Sequence, residues 1–361
     1  MINHRARIEY IQKLLSSRSI DLAIIANSGD IRYLTDYSPF LGDSILVVLQ
    51  DDIYLINRFE WDRDLSTLLF EENHILSGYD YLSFLKSILP KDHISIAITG
   101  KEFLSIDLIE YLTNLDPNLV SIEDVLSSKR LIKSTEEISY LQKAVKITED
   151  AISHAVKTLR KDTTELQMCA EFEYYCKMQG AEELSFPSCI AFAEFSRQVA
   201  HKPTDKKIES GQAFFLDVGA RYKGYCADIG RTFFVGKPSP EYLDIYNKVL
   251  KIHEYMIEYI KVGMHVKDVY KVVHDLFVEN GLGEPRHRLG HGVGIETSME
   301  GPDIKYGDET LLENMTFAIE VSHPGTNEGG VKIEDNVYLT KDGCVSFSTS
   351  SRELMLIDFG T

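Results

Sequence analysis

The stretch AFFLDVGARYKGYCADIGRTFFV, Ala213 to Val235, decides how this chain is read. Its two apolar runs, Ala213 to Val218 and Ile229 to Val235, have the composition of buried central strands. Yet Asp217 lies inside the first and Asp228 leads into the second. An ionised carboxylate buried without a partner is too costly to persist, so each needs a proton, a cation or a strong hydrogen-bond donor. Tyr222, Lys223 and Gly224 read as a hairpin turn, and a turn closed over Tyr222 and Lys223 sets Asp217 directly opposite Asp228. Like charges facing each other across a sheet are destabilising, with Cβ atoms about 5 Å apart. A single strand acid is equally explained by an Arg or Lys partner or by a wet face; a facing pair points to a shared cation.

The same arrangement recurs about a hundred residues later, in MTFAIEV (Met315 to Val321) and VKIED (Val331 to Asp335). A hairpin centred on Asn327, within the loop PGTNEGG (Pro324 to Gly330), places Glu320 opposite Glu334. Four carboxylates on two facing hairpins suit hard or borderline divalent ions and are rich enough in charge to hold two of them roughly 3.5 to 4 Å apart. A nitrogen ligand is available in HRLGHGVG (His287 to Gly294), where His291 stands between Gly290 and Gly292, residues that let backbone approach a site closely.

Outward from these hairpins the chain falls into two parts. Residues 1–125 alternate short apolar runs with helical patterns: Ile8, Ile11, Leu14 and Leu15 recur at helical spacing, Leu22 to Ala26, Ile45 to Leu49, Ile53 to Ile56 and Ile94 to Ile98 read as strands, and Tyr81 to Leu89 and Phe103 to Leu115 as helices. This is a small α/β domain, with the boundary in the weakly periodic stretch from Ser121 to Lys133. From residue 134 long amphipathic helices begin. Ser134 with Glu137 forms a capping box, Asp162 with Glu165 opens a second helix ended by Gly180, Pro240 opens a third, and Lys267 to Asn280 is a fourth ended by Gly281. Two helices followed by strands therefore occur twice, with helix junctions near Lys161 and Gly263. Residues 134–361 read as one α+β domain with an internal duplication about a pseudo-two-fold axis.

Composition removes other classes. The chain has 361 residues, 38 Lys and Arg against 56 Asp and Glu, and a formal charge of −18, which repels phosphate backbones and excludes nucleic acid as a partner. Its five cysteines form no CxxC pair, which fits reduced thiols in a cytoplasmic protein and leaves no zinc ribbon. No apolar run approaches the roughly 20 residues needed to cross a bilayer, so no membrane partner is expected.

Taken together the motifs resemble the pita-bread metallopeptidases, the family of Xaa-Pro dipeptidase (prolidase), aminopeptidase P and methionine aminopeptidase, with creatinase as a metal-free relative. Asp217 to Thr232 resembles DxG followed by DxxRT, His287 to Gly294 resembles HRxGHGxG, and Gly329 to Asp335 resembles GGVRIED. Asp30 to Thr35, after the first strand, resembles the creatinase/prolidase N-terminal domain, which methionine aminopeptidases lack. The resemblance covers the whole chain. It implies an α/β N-terminal domain joined to a C-terminal pita-bread domain, and a dinuclear metal-dependent exopeptidase that cleaves Xaa-Pro bonds in dipeptides or at peptide N-termini.

By the same resemblance Asp217 binds one metal, Asp228 and Glu334 bridge both, and His291 and Glu320 bind the second. Glu320 also shuttles the proton of the attacking water, His201 helps to stabilise the tetrahedral intermediate, and His287 lines the substrate pocket. Arg352 corresponds to a C-terminal arginine near the substrate, with a carboxylate-binding role and a plain salt bridge both open. Manganese is the first metal implied, followed by cobalt, iron or zinc, and the assembly implied is a homodimer.

The chain departs from the pattern around the substrate. The family histidine seven residues after the ligand falls on Ser298, or on Met299 if one residue is inserted; Ala200 replaces the usual Pro before His201; Val321-Ser322 replaces Pro-Gly after Glu320. His323 is a candidate substitute for the missing histidine. These departures keep two other readings open: hydrolysis of a non-peptide C–N bond or a lyase reaction on a small molecule, and a binding protein that has kept the fold without catalysis.

Overall fold

A computed structural model describes residues 2–39, 42–59, 74–89, 94–297 and 300–359. The chain divides into two compact units, Met1–Lys129 and Arg130–Thr361. The cut falls inside the helix Glu123–Leu131. The weakly periodic stretch from Ser121 to Lys133 is thus largely helical, with Glu123 and Asp124 in the first turn, where negative charge complements the helix dipole.

In the first unit Leu22–Ile25, buried at every position, is the centre of a six-stranded mixed sheet. It runs antiparallel to Ser44–Leu49 and parallel to Ile96–Thr99. The strands expected from apolar runs all form, with ends shifted by one or two residues. Leu85, Leu108 and Leu112, from the helices Tyr81–Ile88 and Ile106–Leu115, pack on Leu22, Ile24 and Ile96 in one core. The helix Ser28–Thr35 has no clear periodicity in sequence; Asn27 starts it by accepting a hydrogen bond from the Asp30 N–H.

The second unit opens with the helix Thr135–Thr158, whose N-terminus has the reciprocal Ser134–Glu137 box. The next helix, Glu165–Met178, is capped by Thr164 with Gln167 rather than by Asp162 with Glu165. That difference frees the Glu165 side chain for another use. Beyond lies an eight-stranded sheet whose main path runs Gly290–Gly292, Thr316–Thr326, Gly329–Thr340, Ile229–Val235, Ala213–Val218, Cys189–Phe192. Two hairpins lie side by side with a short strand outside each, so the order reads alike from either edge. The helices Pro240–Tyr259 and Val266–Glu279 bury Tyr242, Val249 and Val273 against Phe317, Ile319 and Ile333.

The second hairpin has the register expected of it, with Glu320 opposite Glu334. The first does not. Tyr222 pairs with Tyr225, leaving a two-residue turn, Lys223-Gly224, in which φ is positive at both positions (47° and 82°). Such turns match strand twist, and Gly at the second position meets the backbone requirement. Asp217 therefore faces Gly230, not Asp228, which sits in a short break between Tyr225–Cys226 and Ile229–Val235.

The shift builds a row across five adjacent strands: Cys189, Asp217, Gly230, Glu334, Glu320. Gly230 is the gap in it. A Cβ there would lie 2.8 Å from the Glu334 Cβ and 3.3 Å from Glu334 Oε2, so only glycine leaves room for the carboxylates around it. We expect Gly230→Ala to cost about 1–3 kcal/mol of stability through overpacking. A urea midpoint equal to that of the parent would refute this account of the gap.

Candidate metal centre

Strand alternation aims Glu334 and Lys332 to one face of the sheet and Asp335 to the other. On the first face, Asp228, His291 and Glu334 offer ligand atoms within 4.8 Å of one another, and so do Asp217, Glu320 and Glu334. Glu334 belongs to both sets. His291 Nε2 is 3.4 Å from Asp228 Oδ2 and 3.7 Å from Glu334 Oε1, and its strand, Gly290–Gly292, is held at the sheet edge by pairing with residues 317–319. The break in the ladder at Asp228 is stabilised by Asn336, whose Oδ1 accepts from the Asp228 N–H at 2.8 Å.

All five side chains are buried or nearly so, with Glu334 at 1 % exposure. Burial pushes the Asp228 carboxyl well up, helped by the charges of Asp217 and Glu320, and pushes Glu334 up likewise, helped by Asp228 and Glu320. Burial also raises Asp217, against the pull of Lys332. It lowers His291 to about 4, so the imidazole is neutral and able to bind a cation. Glu334 Oε1 is buried with no hydrogen-bond donor among the described residues. Four crowded carboxylates, an orphaned oxygen and a neutral imidazole make a donor set that fits divalent cations.

A lysine enters this face. Lys332 Nζ lies 2.6 Å from Asp217 Oδ2 and 2.7 Å from Glu320 Oε1, and donates to the Val199 carbonyl at 3.1 Å. Burial disfavours its charge, but Asp217 and Glu320 more than offset this and hold it protonated. In turn burial would raise Glu320, yet Lys332, His287 and His291 bring it down to about 2. Sequence reasoning missed Lys332, although its place two residues before Glu334 puts it on the same face.

His287 joins the cluster: its Nδ1 is 3.6 Å from Glu320 Oε2, and its Nε2 is 2.5 Å from Ser322 Oγ. Ser322, which the sequence marks only as a departure from the family pattern, is thus a partner of His287. His201 lies on the loop that Lys332 grips at Val199, its ring stacked on Phe195 at 4.4 Å. His323 accepts from the Gly325 N–H at 2.9 Å within its own turn and lines a crevice with Ser322, Val199 and Lys332. Ser298 and Met299 lie outside the described residues.

Arg352 is not brought to the carboxylates. It pairs through Nε with Asp335 and through Nη2 with Ser346, on the opposite face, because Asp335 alternates with Glu334 along one strand. Asp335 is fully buried and also binds Arg231 at 2.6 Å. Burial would raise its carboxyl, but Arg231, His253 and Arg352 hold it below the usual range. This network fastens the C-terminal segment to the sheet. Asp335→Ala is expected to cost about 3–5 kcal/mol by leaving buried positive charge uncompensated. Thermal unfolding with metal content measured in parallel checks this, the expected variant being less stable with undiminished affinity for divalent ions.

Comparison with known proteins places the chain among peptidases. The model of metallopeptidase family M24 matches residues 139–341, and that of the creatinase/prolidase N-terminal domain matches residues 7–132. The chain is 31% identical to a Xaa-Pro dipeptidase of Pyrococcus horikoshii over 360 residues, covering 97% of this chain and 98% of that one. The solved prolidase from Pyrococcus horikoshii superposes with a TM-score of 0.86 at 29% identity, covering 97% of this chain and 100% of the other. An X-Pro aminopeptidase from Thermotoga maritima gives 0.86 at 28% identity, covering 97% and 99%. The architecture is that of a creatinase-type N-terminal domain followed by a pita-bread domain.

Proposed function

The chain belongs to metallopeptidase family M24, and on that premise we propose that it is a dinuclear metal-dependent exopeptidase that cleaves Xaa-Pro bonds in dipeptides or at peptide N-termini. The observation that carries the reading is the pair of ligand sets sharing Glu334. Asp217, Asp228, His291, Glu320 and Glu334 would hold two divalent ions, Glu334 being the side chain that both ligand sets share. Such ions supply Lewis-acid polarisation of a carbonyl and a water acidic enough to attack near neutral pH.

The chain's own groups do the rest. Glu320, kept ionised by Lys332, receives the proton released on attack and passes it to the leaving nitrogen. His201 meets the carbonyl oxygen as charge develops on it. His287, fixed by Ser322, borders the substrate. Mostly oxygen donors make manganese the first metal to test, ahead of cobalt, iron and zinc. Five free cysteines fit a reducing cytoplasm, and no helix among the described residues is long and apolar enough to cross a membrane. We take a homodimer as the working assembly.

The test is turnover of Xaa-Pro dipeptides, longer Xaa-Pro peptides and non-proline controls by manganese-loaded protein. Selective cleavage of Xaa-Pro bonds is expected, and a metal-loaded protein that turns over none of them would overturn the reading. A second reading, hydrolysis of another C–N bond on the same scaffold, is favoured by the Ser322 hydroxyl on His287, where the family pattern has glycine. Small-molecule amides belong in the panel for that reason.

A further inference from the structure

The second helix of the peptidase unit begins with a carboxylate that does not behave as a first-turn acid should. Such residues ordinarily sit in solvent and complement the helix dipole. Glu165 is instead completely buried, while Thr164 and Gln167 cap the helix. Its Oε1 accepts from the Phe192 N–H at 2.8 Å. Its Oε2 accepts from the Thr204 N–H at 2.8 Å and the Thr204 hydroxyl at 2.7 Å, and lies 2.9 Å from His201 Nε2. One carboxylate therefore fastens both ends of the loop that carries His201, and the histidine ring as well.

We propose that Glu165 is a positioning residue that fixes the ring and the proton of His201, so that Nδ1 is the nitrogen presented to the substrate. An ionised carboxylate only accepts hydrogen bonds, so the Nε2 that meets it must carry the proton. The ring cannot turn away easily, since it is stacked on Phe195 at an interplanar angle of 15° and its backbone N–H is bound to Cys189 Sγ at 3.1 Å. Nδ1 has no hydrogen-bond partner among the described residues. The loop is registered to the carboxylate cluster at two points, through Lys332 on the Val199 carbonyl and through Cys189, which stands opposite Asp217. With Nε2 committed to Glu165, only a second proton taken up at Nδ1 makes that nitrogen a donor to a developing oxyanion. The inference rests on the reading of His201 as the group that meets the reacting carbonyl.

Two measurements test it. In Zn2+-loaded protein labelled with 15N-histidine, the His201 resonances, identified by their loss in His201→Gln, should show a slowly exchanging proton on Nε2. A proton on Nδ1 of the neutral ring, or free interchange of the two tautomers, would overturn the proposal. Glu165→Gln keeps the shape and should lower kcat by about 10- to 100-fold with KM changed less than about twofold. Combined with His201→Gln it should add no further loss. A structural role alone predicts multiplying losses in the double variant, or a lower melting temperature at unchanged kcat, and either result would refute us. Should the parent cleave no peptide, the NMR measurement still decides the placement of the proton, and only the peptidase reading fails.

Discussion

Glu334→Ala is expected to lose bound divalent metal and peptidase turnover together, turnover by at least about 10³-fold, because it removes the one side chain common to both ligand sets. Loss of a ligand ordinarily leaves an ambiguity, since an unfolded protein also loses its metal. Here the electrostatics remove it. Without metal, Glu334 is a carboxyl pushed up by burial and by neighbouring Asp228, with no hydrogen bond to Oε1 among the described residues. Replacing it by alanine relieves that strain, so the metal-free variant should melt at or above the temperature of the metal-free parent. Elemental analysis and thermal unfolding of both proteins suffice. A variant that keeps a full complement of metal would refute the site, and the contrast with the adjacent Asp335→Ala, which should weaken the fold and spare the metal, excludes a general disturbance of the strand.

Removing the metal should lower the melting temperature by an amount that grows with pH. At a free metal concentration of 100 times Kd the loaded state gains about 2.7 kcal/mol, or roughly 5–10 °C for a domain of this size. Asp228 and Glu334 have raised pKa values in the metal-free fold, so the stability they contribute is fully present below the ordinary carboxylate pKa of about 4 and is lost as pH rises through their folded values. Metal requires both groups ionised. Binding therefore expels protons where they are still held, and affinity rises with pH across the same window. Glu320 has the opposite sign, with stability lost as pH falls from the ordinary carboxylate pKa of about 4 through about 2, below the range tested. His291, lowered to about 4 by burial, has no proton left to release above pH of about 5. The gap between loaded and chelated protein should widen from about pH 5 to pH 8. A constant or narrowing gap would show that these carboxyls are not the ligands.

The ligands were legible because a carboxylate inside an apolar strand is a physical contradiction that something must resolve. Asp217, Asp228, Glu320 and Glu334 are each such a contradiction, and glycines on both sides of His291 mark a close backbone approach. The Glu320–Glu334 register agrees with a loop centred on Asn327, although the turn itself pairs Thr326 with Gly329, because an irregularity between His323 and Thr326 restores the offset. The Asp217–Asp228 pairing does not form. Its turn residues, Tyr222 to Gly224, allow a turn over Tyr222-Lys223 or over Lys223-Gly224, and the favourable geometry of Lys223-Gly224 selects the second and moves Asp217 opposite Gly230.

Local order thus determined which residues cannot be left alone in the interior, and with them the elements and the chemistry of the donor set. Tertiary structure decided the partners. Lys332 reaches Asp217 and Glu320 across neighbouring strands, Arg352 reaches Asp335 on the far face, and Glu165 meets His201 from 36 residues away. Those pairings depend on which strands adjoin and which face each side chain takes. Neither follows from the residues beside them in the chain, because burial and alternation act on the assembled sheet.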